Sequence, residues 1–330
     1  MKTFIIAEAG INHNGNIGIA KKLINEAKKS GADAIKFQTY ITEDLVIENT
    51  KKVKYQKIHD NNKSMFQMLK KTELTFNQFK ILKKYCEKKK IIFMSSAFDE
   101  KSLRFLASLK LKYYKIPSGE INNYPDLKII SKLNKKVLLS TGMSTINEID
   151  KTLFLLKKFG LKKKNTIIMH CNSSYPTSIN DANLNIIKTL KQRYQLEVGY
   201  SDHTEGVIAP LLAVTLGAKF IEKHFTLSKS LKGPDHFFSL TPSEFTLMVK
   251  DIRQVEKLLG RSTKILTQNE IENRTLSRKS IVAKKKIIKG SKFSHLNLTT
   301  KRPGNGISPY NWSKIIGKLA KKNYKINDQI

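Results

Sequence analysis

Two histidines stand in settings suited to metal chemistry: His203 in Gly199-Tyr200-Ser201-Asp202-His203-Thr204, and His224 in Glu222-Lys223-His224-Phe225-Thr226. Each follows a short apolar run of strand character, and each has a carboxylate beside it, Asp202 or Glu222. Neutral imidazole offers a lone pair to Mn2+, Fe2+ or Zn2+, and two histidines without a third thiol leave coordination positions open for water and substrate. A single core histidine is more often hydrogen-bonded than ligating; two at neighbouring strand ends favour the ligand role.

Lys36 and Lys115 lie in otherwise apolar strands, Ala34-Ile35-Lys36-Phe37 and Tyr114-Lys115-Ile116. An ammonium buried without an anion is costly, so a bound phosphate or carboxylate is the simple explanation. Two alternatives stay open: a core ion pair to Glu8, Glu120 or Glu222, and a Schiff-base lysine. Ser118-Gly119-Glu120 and Ser140-Thr141-Gly142 add hydroxyls and backbone amides fit for phosphate oxygens. Each is also ordinary turn chemistry, as is Gly233-Pro234-Asp235-His236, where Asp235 could bind hydroxyls or act as an acid or base. Glu8, Asn12-His13-Asn14, Gln38, Ser95-Ser96, and His170 with Asn172 complete the polar positions that follow apolar runs. Lys36 and Gln38, Ser201 and His203, and Glu222 and His224 are each two apart, which in a strand puts both members on one face.

These residues need a scaffold that gathers strand ends. Candidate strands fall at 3–7, 34–38, 91–95, 113–116, 137–140, 166–170, 197–200 and 220–223, separated by segments of helical period such as Ala20, Leu23, Ile24 and Ala27. About eight strand-helix units over about 250 residues is the arithmetic of a TIM (β/α)8 barrel, whose active site lies at the strand C-termini. A doubly wound open sheet fits less well, because no Gly-rich phosphate loop follows the first strand. Beyond Gly260 the periodicity lapses. Residues 263–278 read as a polar linker with room for a short helix, and 279–330 as a small domain of short strands and turns.

Composition sets outer bounds. The chain has 330 residues, 40% of them hydrophobic, and a formal charge of +34. Nearly all the positive charge is lysine on presumed outer helix faces, with no interleaved aromatics and no reader module, so a solvated surface is expected and not a nucleic-acid partner. Cys86 and Cys171 are too few for a disulfide framework. No apolar run approaches the length of a membrane span or signal core, so a cytoplasmic protein without a membrane partner is expected.

Several motifs carry a resemblance: Ala7-Glu8-Ala9-Gly10-Ile11-Asn12-His13-Asn14-Gly15, Lys36-Phe37-Gln38-Thr39, Lys115-Ile116-Pro117-Ser118-Gly119-Glu120, Ser140-Thr141-Gly142-Met143, and Lys301-Arg302-Pro303-Gly304-Asn305-Gly306. With the two histidine motifs, in this order from Ile5 almost to Ile330, they resemble the sialic acid synthase family. That resemblance implies a TIM barrel over 1–262, a linker over 263–278 and an antifreeze-like (SAF) domain over 279–330. It implies a transferase that condenses phosphoenolpyruvate with an N-acylated hexosamine, in its aldehyde form, to a nine-carbon 2-keto acid and phosphate. The first expectation for that sugar is N-acetylmannosamine, giving N-acetylneuraminate. The alternative is 2,4-diacetamido-2,4,6-trideoxymannose, giving N,N'-diacetyllegionaminate; the pseudaminate branch fits less well at the opening motif, and a Schiff-base aldolase or a polyanion-binding protein is a more remote alternative.

Carried over by position, His203 and His224 match ligands of a Mn2+-type ion, with Mg2+ or Co2+ as substitutes. Lys36, Ser96, Lys115, Ser118, Ser140 and Ser201 match phosphoenolpyruvate-binding positions. Glu8 and Glu120 match acidic positions near the reacting carbons, Glu120 being the choice for proton transfer or alignment. Asn172, Tyr175 and Asp235 match sugar positions. Arg302 matches an arginine that a second subunit supplies to the N-acyl group, which implies a domain-swapped homodimer. Ser95-Ser96-Ala97-Phe98 and Asn172-Ser173-Ser174-Tyr175 depart from the family's usual versions, and these departures bear on which sugar is used.

Overall fold

The computed structural model describes residues 2–53, 56 and 64–330. The chain forms two compact units, Met1–Gly260 and Arg261–Ile330. In the first, eight parallel strands close in sequence order into a barrel: β1 Phe4–Gly10, β2 Ala34–Thr39, β3 Ile92–Ala97, β4 Tyr113–Ile116, β5 Lys136–Ser140, β6 Thr166–Cys171, β7 Glu197–Asp202 and β8 Phe220–His224. The expected TIM barrel is the observed one.

Local sequence explains the return helices. Ile17–Lys29 starts at Asn16, whose side chain accepts from the Gly18 and Ile19 amides, and ends with Lys28 and Lys29 against the helix dipole. Its buried stripe is Ala20, Leu23, Ile24 and Ala27, at the spacing of one helix face. Capping boxes open Phe76–Lys89 at Thr75 and Gln78, and Ile146–Lys158 at Thr145 and Glu148.

The strands divide their side chains between two cores. Outward residues such as Ile5, Ala7, Ile35, Phe37, Leu139 and Ile221 join the helices in the large core. Inward residues Ile6, Ala34, Met94, Leu138, Ile167, Met169 and Phe220 form a separate apolar layer inside the barrel. Two residues further along the same strands, the inward positions turn polar: Glu8, Lys36, Ser96, Ser140 and Glu222, all buried. An apolar floor therefore carries a polar layer toward the strand C-termini.

Strands β1, β3 and β7 run two or three residues beyond the sequence expectation, to Gly10, Ala97 and Asp202. Their polar ends resemble loop, but the inward groups find partners inside the barrel, so the ladder continues.

The second unit pairs β9 Ser280–Ala283 antiparallel with β10 Leu298–Lys301, Leu298 opposite Ala283. Its core is Ile281, Ala283, Ile287, Phe293, Leu298, Ala320 and Tyr324. The segment expected as a linker contains a helix, Gln268–Ser277, started by a Thr267/Glu270 capping box. It has no buried residue, which is why no apolar period marked it. Among the described residues, no helix is long and apolar enough to cross a membrane.

Gly199 lies on β7 within the inner apolar layer; a Cβ there would collide with Met169 Sδ and stand 2.8 Å from Phe220 Cβ and from its carbonyl oxygen. Gly199→Ala is expected to destabilise the barrel by about 1–3 kcal/mol through overpacking, measured by urea unfolding; an unchanged midpoint would show that the layer can yield.

Candidate active site

The strand C-termini enclose a cavity of about 770 Å3. At its base sits a buried ion cluster. Lys115 Nζ donates to both Glu222 carboxylate oxygens, at 2.7 and 2.8 Å, and Ser201 Oγ donates to the same carboxylate at 3.1 Å. Lys36 Nζ pairs with Glu8 Oε2 at 2.7 Å, lies 3.6 Å from Glu222 Oε1, and donates to Ser96 Oγ at 3.2 Å. Of the explanations left open for the two lysines, the structure shows the core ion pair, with Glu8 and Glu222 as the anions. Burial alone would raise the Glu222 carboxyl, but Lys115 and Lys36 outweigh it and hold the group at about 2. Glu8 goes the other way: burial, helped by Glu222's charge, raises it to about 7 against the pull of Lys36. Burial would lower Lys36, but Glu222 and Glu8 overcome this and hold it above its usual range; Lys115 is lowered, by burial first. A lysine held charged by two carboxylates is a poor Schiff-base nucleophile, which weighs against that alternative for Lys36.

His203 and His224 meet at the rim with ring centroids 5.5 Å apart. His203 Nδ1 lies 2.5 Å from the Asn172 carbonyl oxygen, so Nδ1 donates and Nε2 keeps its lone pair. Burial lowers His203 to about 4 and drives His224 well below its ordinary value, with His203 and Lys36 adding to the second effect. Both rings are neutral at pH 7. His224 Nδ1 is buried without a hydrogen-bond partner among the described residues, 4.0 Å from Asp235 Oδ2. Two neutral imidazoles with an orphaned nitrogen fit a divalent cation. Among the described residues no group of three histidines, cysteines or acids gathers to complete the shell, so water and substrate oxygens would fill it.

The structure places most expected residues together. Glu8, Lys36, Ser96, Lys115, Ser118, Ser140, Tyr175, Ser201, His203 and His224 all line the cavity. The Tyr175 ring lies 4.2 Å from that of His203. Ser118 Oγ accepts from the Gly142 amide at 3.1 Å, joining the two Ser-Gly turns. Asp235 is buried next to the cavity, and burial, then Glu8's charge, raises it to about 7.

Three expectations are corrected. Glu120 does not line this cavity: the 3-10 turn Ser118–Glu120 directs its carboxylate to Asn123 Nδ2 at 2.6 Å, and it borders a small separate pocket with Asp126. Asn172 also stays out; its Oδ1 accepts from the Ser174 amide at 2.9 Å, and only its backbone carbonyl serves the site, through His203. Asp202 is not a carboxylate beside the cavity, because period two turns it outward, where it pairs with Lys223 at 2.5 Å and accepts from Tyr200 Oη at 3.0 Å. Arg302 lies in the second unit, exposed just after β10. Sequence reasoning missed Met65, Phe98 and Met143, which also line the cavity. No spacing marked them, since apolar lining looks like core.

The fold and site define an α/β-barrel enzyme with an ionic floor and a histidine rim. Residues 23–264 match the model of the NeuB family and residues 278–330 that of the SAF domain. The chain belongs to the NeuB family. It is 48% identical over 330 residues, covering 100% of this chain and 99% of the relative, to the N,N'-diacetyllegionaminic acid synthase of Campylobacter jejuni. It is 42% identical to the enzyme of that name from Legionella pneumophila, over 98% of this chain and 92% of the relative. The crystal structure of the N-acetylneuraminic acid synthetase of Leptospira borgpetersenii superposes with a TM-score of 0.73 at 36% identity, covering 83% of this chain and 90% of that one. The nonulosonate synthase reading and the SAF domain thus stand.

Folded, the chain keeps a proton on Glu8 up to about pH 7, whereas the ordinary value is 4.5. Between these values the folded state binds more protons than the unfolded one, so this group makes stability fall as pH rises through that window. Glu8→Gln should flatten the fall in Tm between about pH 5 and about pH 7.5, followed by calorimetry in chelator; an equal fall in both proteins would refute the assignment.

Proposed function

We propose that this chain condenses phosphoenolpyruvate with 2,4-diacetamido-2,4,6-trideoxymannose and water to give N,N'-diacetyllegionaminate and phosphate. This reverses the order of preference drawn from sequence, which put N-acetylmannosamine first. The observation that carries it is the greater identity to two diacetyllegionaminate synthases, 48% and 42%, than to the neuraminate synthetase, 36%. The cavity supports it. Val53, Met65, Phe98 and Met143 contribute apolar lining to it beside the ion cluster's residues. A 6-deoxy sugar with two acetamido groups presents three methyls to such a lining, each worth about 0.8 kcal/mol when buried. N-acetylmannosamine would keep the C2 acetyl methyl but set hydroxyls at C4 and C6 in place of the other two.

Lys36, Lys115 and the hydroxyls of Ser96, Ser118, Ser140 and Ser201 would hold the phosphate and carboxylate of phosphoenolpyruvate. Protonation of Glu8 frees Lys36 to serve that anion, which reconciles the ion pair with anion binding. Tyr175 and Asp235 would hold the sugar. C3 of phosphoenolpyruvate attacks the aldehyde carbon, the carbonyl oxygen takes a proton, water adds at C2, and the C–O bond to phosphate breaks. Glu8 takes the proton-transfer role first assigned to Glu120, because it lines the cavity and titrates near neutrality. A divalent cation on His203 and His224, Mn2+ or its substitutes Mg2+ and Co2+, would polarise the aldehyde as a Lewis acid. Arg302 of a second copy, in a domain-swapped homodimer, completes the proposal at the N-acyl group.

With purified enzyme and phosphate release followed, kcat/KM for the diacetamido sugar should exceed that for N-acetylmannosamine by about 10- to 100-fold; the reverse ratio would return the assignment to N-acetylneuraminate. Dialysis against chelator should abolish turnover and Mn2+ should restore it, while His203→Ala should lose bound metal by elemental analysis. Full activity in chelator would favour a lysine-based aldolase.

A further inference from the structure

Asn12 is 1% exposed, two residues past β1, and its side-chain amide donates two hydrogen bonds. One goes to the Phe225 carbonyl oxygen at 2.9 Å, the residue directly after His224. The other goes to Ser239 Oγ at 3.0 Å, and Ser239 in turn donates to the Asp235 carbonyl oxygen at 2.5 Å. One buried amide thus holds both the chain that presents His224 and the loop that presents Asp235.

The surrounding seam is neutral and closely fitted. Asn14 Nδ2 donates to the Lys232 carbonyl oxygen at 2.9 Å. Thr226 Oγ1 donates to the Ser228 carbonyl oxygen at 3.1 Å, so His236 Nδ1, 2.6 Å away, is the donor in their contact. The Gly15 amide donates to His13 Nδ1 at 3.1 Å, which puts the His13 proton on Nε2. Burial holds both rings neutral, near 4. Space in the seam is tight: a Cβ on Gly233 would stand 2.8 Å from Asn14 Oδ1 and 2.8 Å from His236 Cδ2, and at its inner edge Gly10 lies near both Glu8 and Asp235. A small slip of the β8 loop would move Asp235 relative to both Glu8 and His224.

We infer that Asn12 is a positioning residue: through Ser239 it sets Asp235 against His224, and so governs the grip on the acceptor sugar. This rests on the proposed function, in which Asp235 holds that sugar. The prediction splits the two substrates, because nothing in this seam touches the lysines expected to hold phosphoenolpyruvate.

The test is steady-state kinetics on the Mn2+-loaded full-length enzyme, with Asn12→Ala and Ser239→Ala made alone and in an Asp235→Ala background. Each single variant breaks the Asn12–Ser239 link together with one further buried hydrogen bond, and should raise the sugar KM by about tenfold or more while leaving that of phosphoenolpyruvate within about twofold. In the Asp235→Ala background neither should raise it further. Equal rises in both KM values, or a rise that persists without the Asp235 carboxylate, would overturn the inference and reduce Asn12 to a structural brace. If Asn12→Ala does not fold, Ser239→Ala, which removes one hydroxyl, decides by the same outcomes. A wild-type enzyme inactive on both sugars overturns the functional reading and this one with it; an active wild type without the split overturns this one alone.

Discussion

The site depends on burying two ammonium groups at the centre of a barrel. Moving a charge from water into a protein interior costs several kcal/mol unless close counter-charges and hydrogen bonds repay it. Glu222 meets that demand for Lys115 with both oxygens and stands near Lys36 as well. Lys36 then needs Glu8, which lies on the first strand, next to the eighth across the barrel closure. The cluster therefore ties together β1, β2, β4 and β8, and it can form only in a closed barrel. In an open sheet the edge strands β1 and β8 would part, and one ammonium would lose its partner.

The same demand explains why the two acids behave oppositely. Glu222 lies between two cations and stays ionised; Glu8 shares one cation with it, feels its charge, and is pushed to about 7. One carboxylate is structural in its charge and the other is free to exchange a proton at neutrality. When Glu8 is protonated the cluster carries one net positive charge, so it attracts an anion without keeping an unpaired ammonium in its absence. Positive charge on the outer surface, although far larger in count, is screened by water and salt and contributes little to that selectivity.

Much of this was legible because a strand repeats every two residues. The steps Ile6 to Glu8, Ala34 to Lys36 and Phe220 to Glu222 to His224 place apolar floor and polar layer on one face, and sequence alone assigns them to it. Orientation at strand ends was not legible. Asp202 is adjacent to His203 and so points the opposite way, whereas Glu120 follows a proline and a 3-10 turn that no periodicity describes. Asn172 reads in sequence as a polar side chain at a strand end, yet serves through a backbone carbonyl, which every residue has. The helix Gln268–Ser277 was legible only as room for a short helix in the linker, for a related reason: its signal lies in the caps at Thr267 and Glu270, not in a buried face.

The two kinds of lining in the cavity select by different physics. An apolar wall gains energy from each methyl it covers, but an added hydroxyl can often turn to solvent, so its power of rejection is limited. A buried polar group that loses its partner costs more, because nothing replaces the missing hydrogen bond. In the proposed function, strict choice between sugars would therefore come from groups such as Asp235 and Tyr175, and from how firmly they are held, with the apolar wall adding a graded preference. On that proposal, a neutral, close-fitting seam behind Asp235 would matter to a reaction whose atoms it never touches. Placing Asp235 loosely would leave the barrel, the ion cluster and the histidine rim intact, and yet blur the distinction between closely similar substrates.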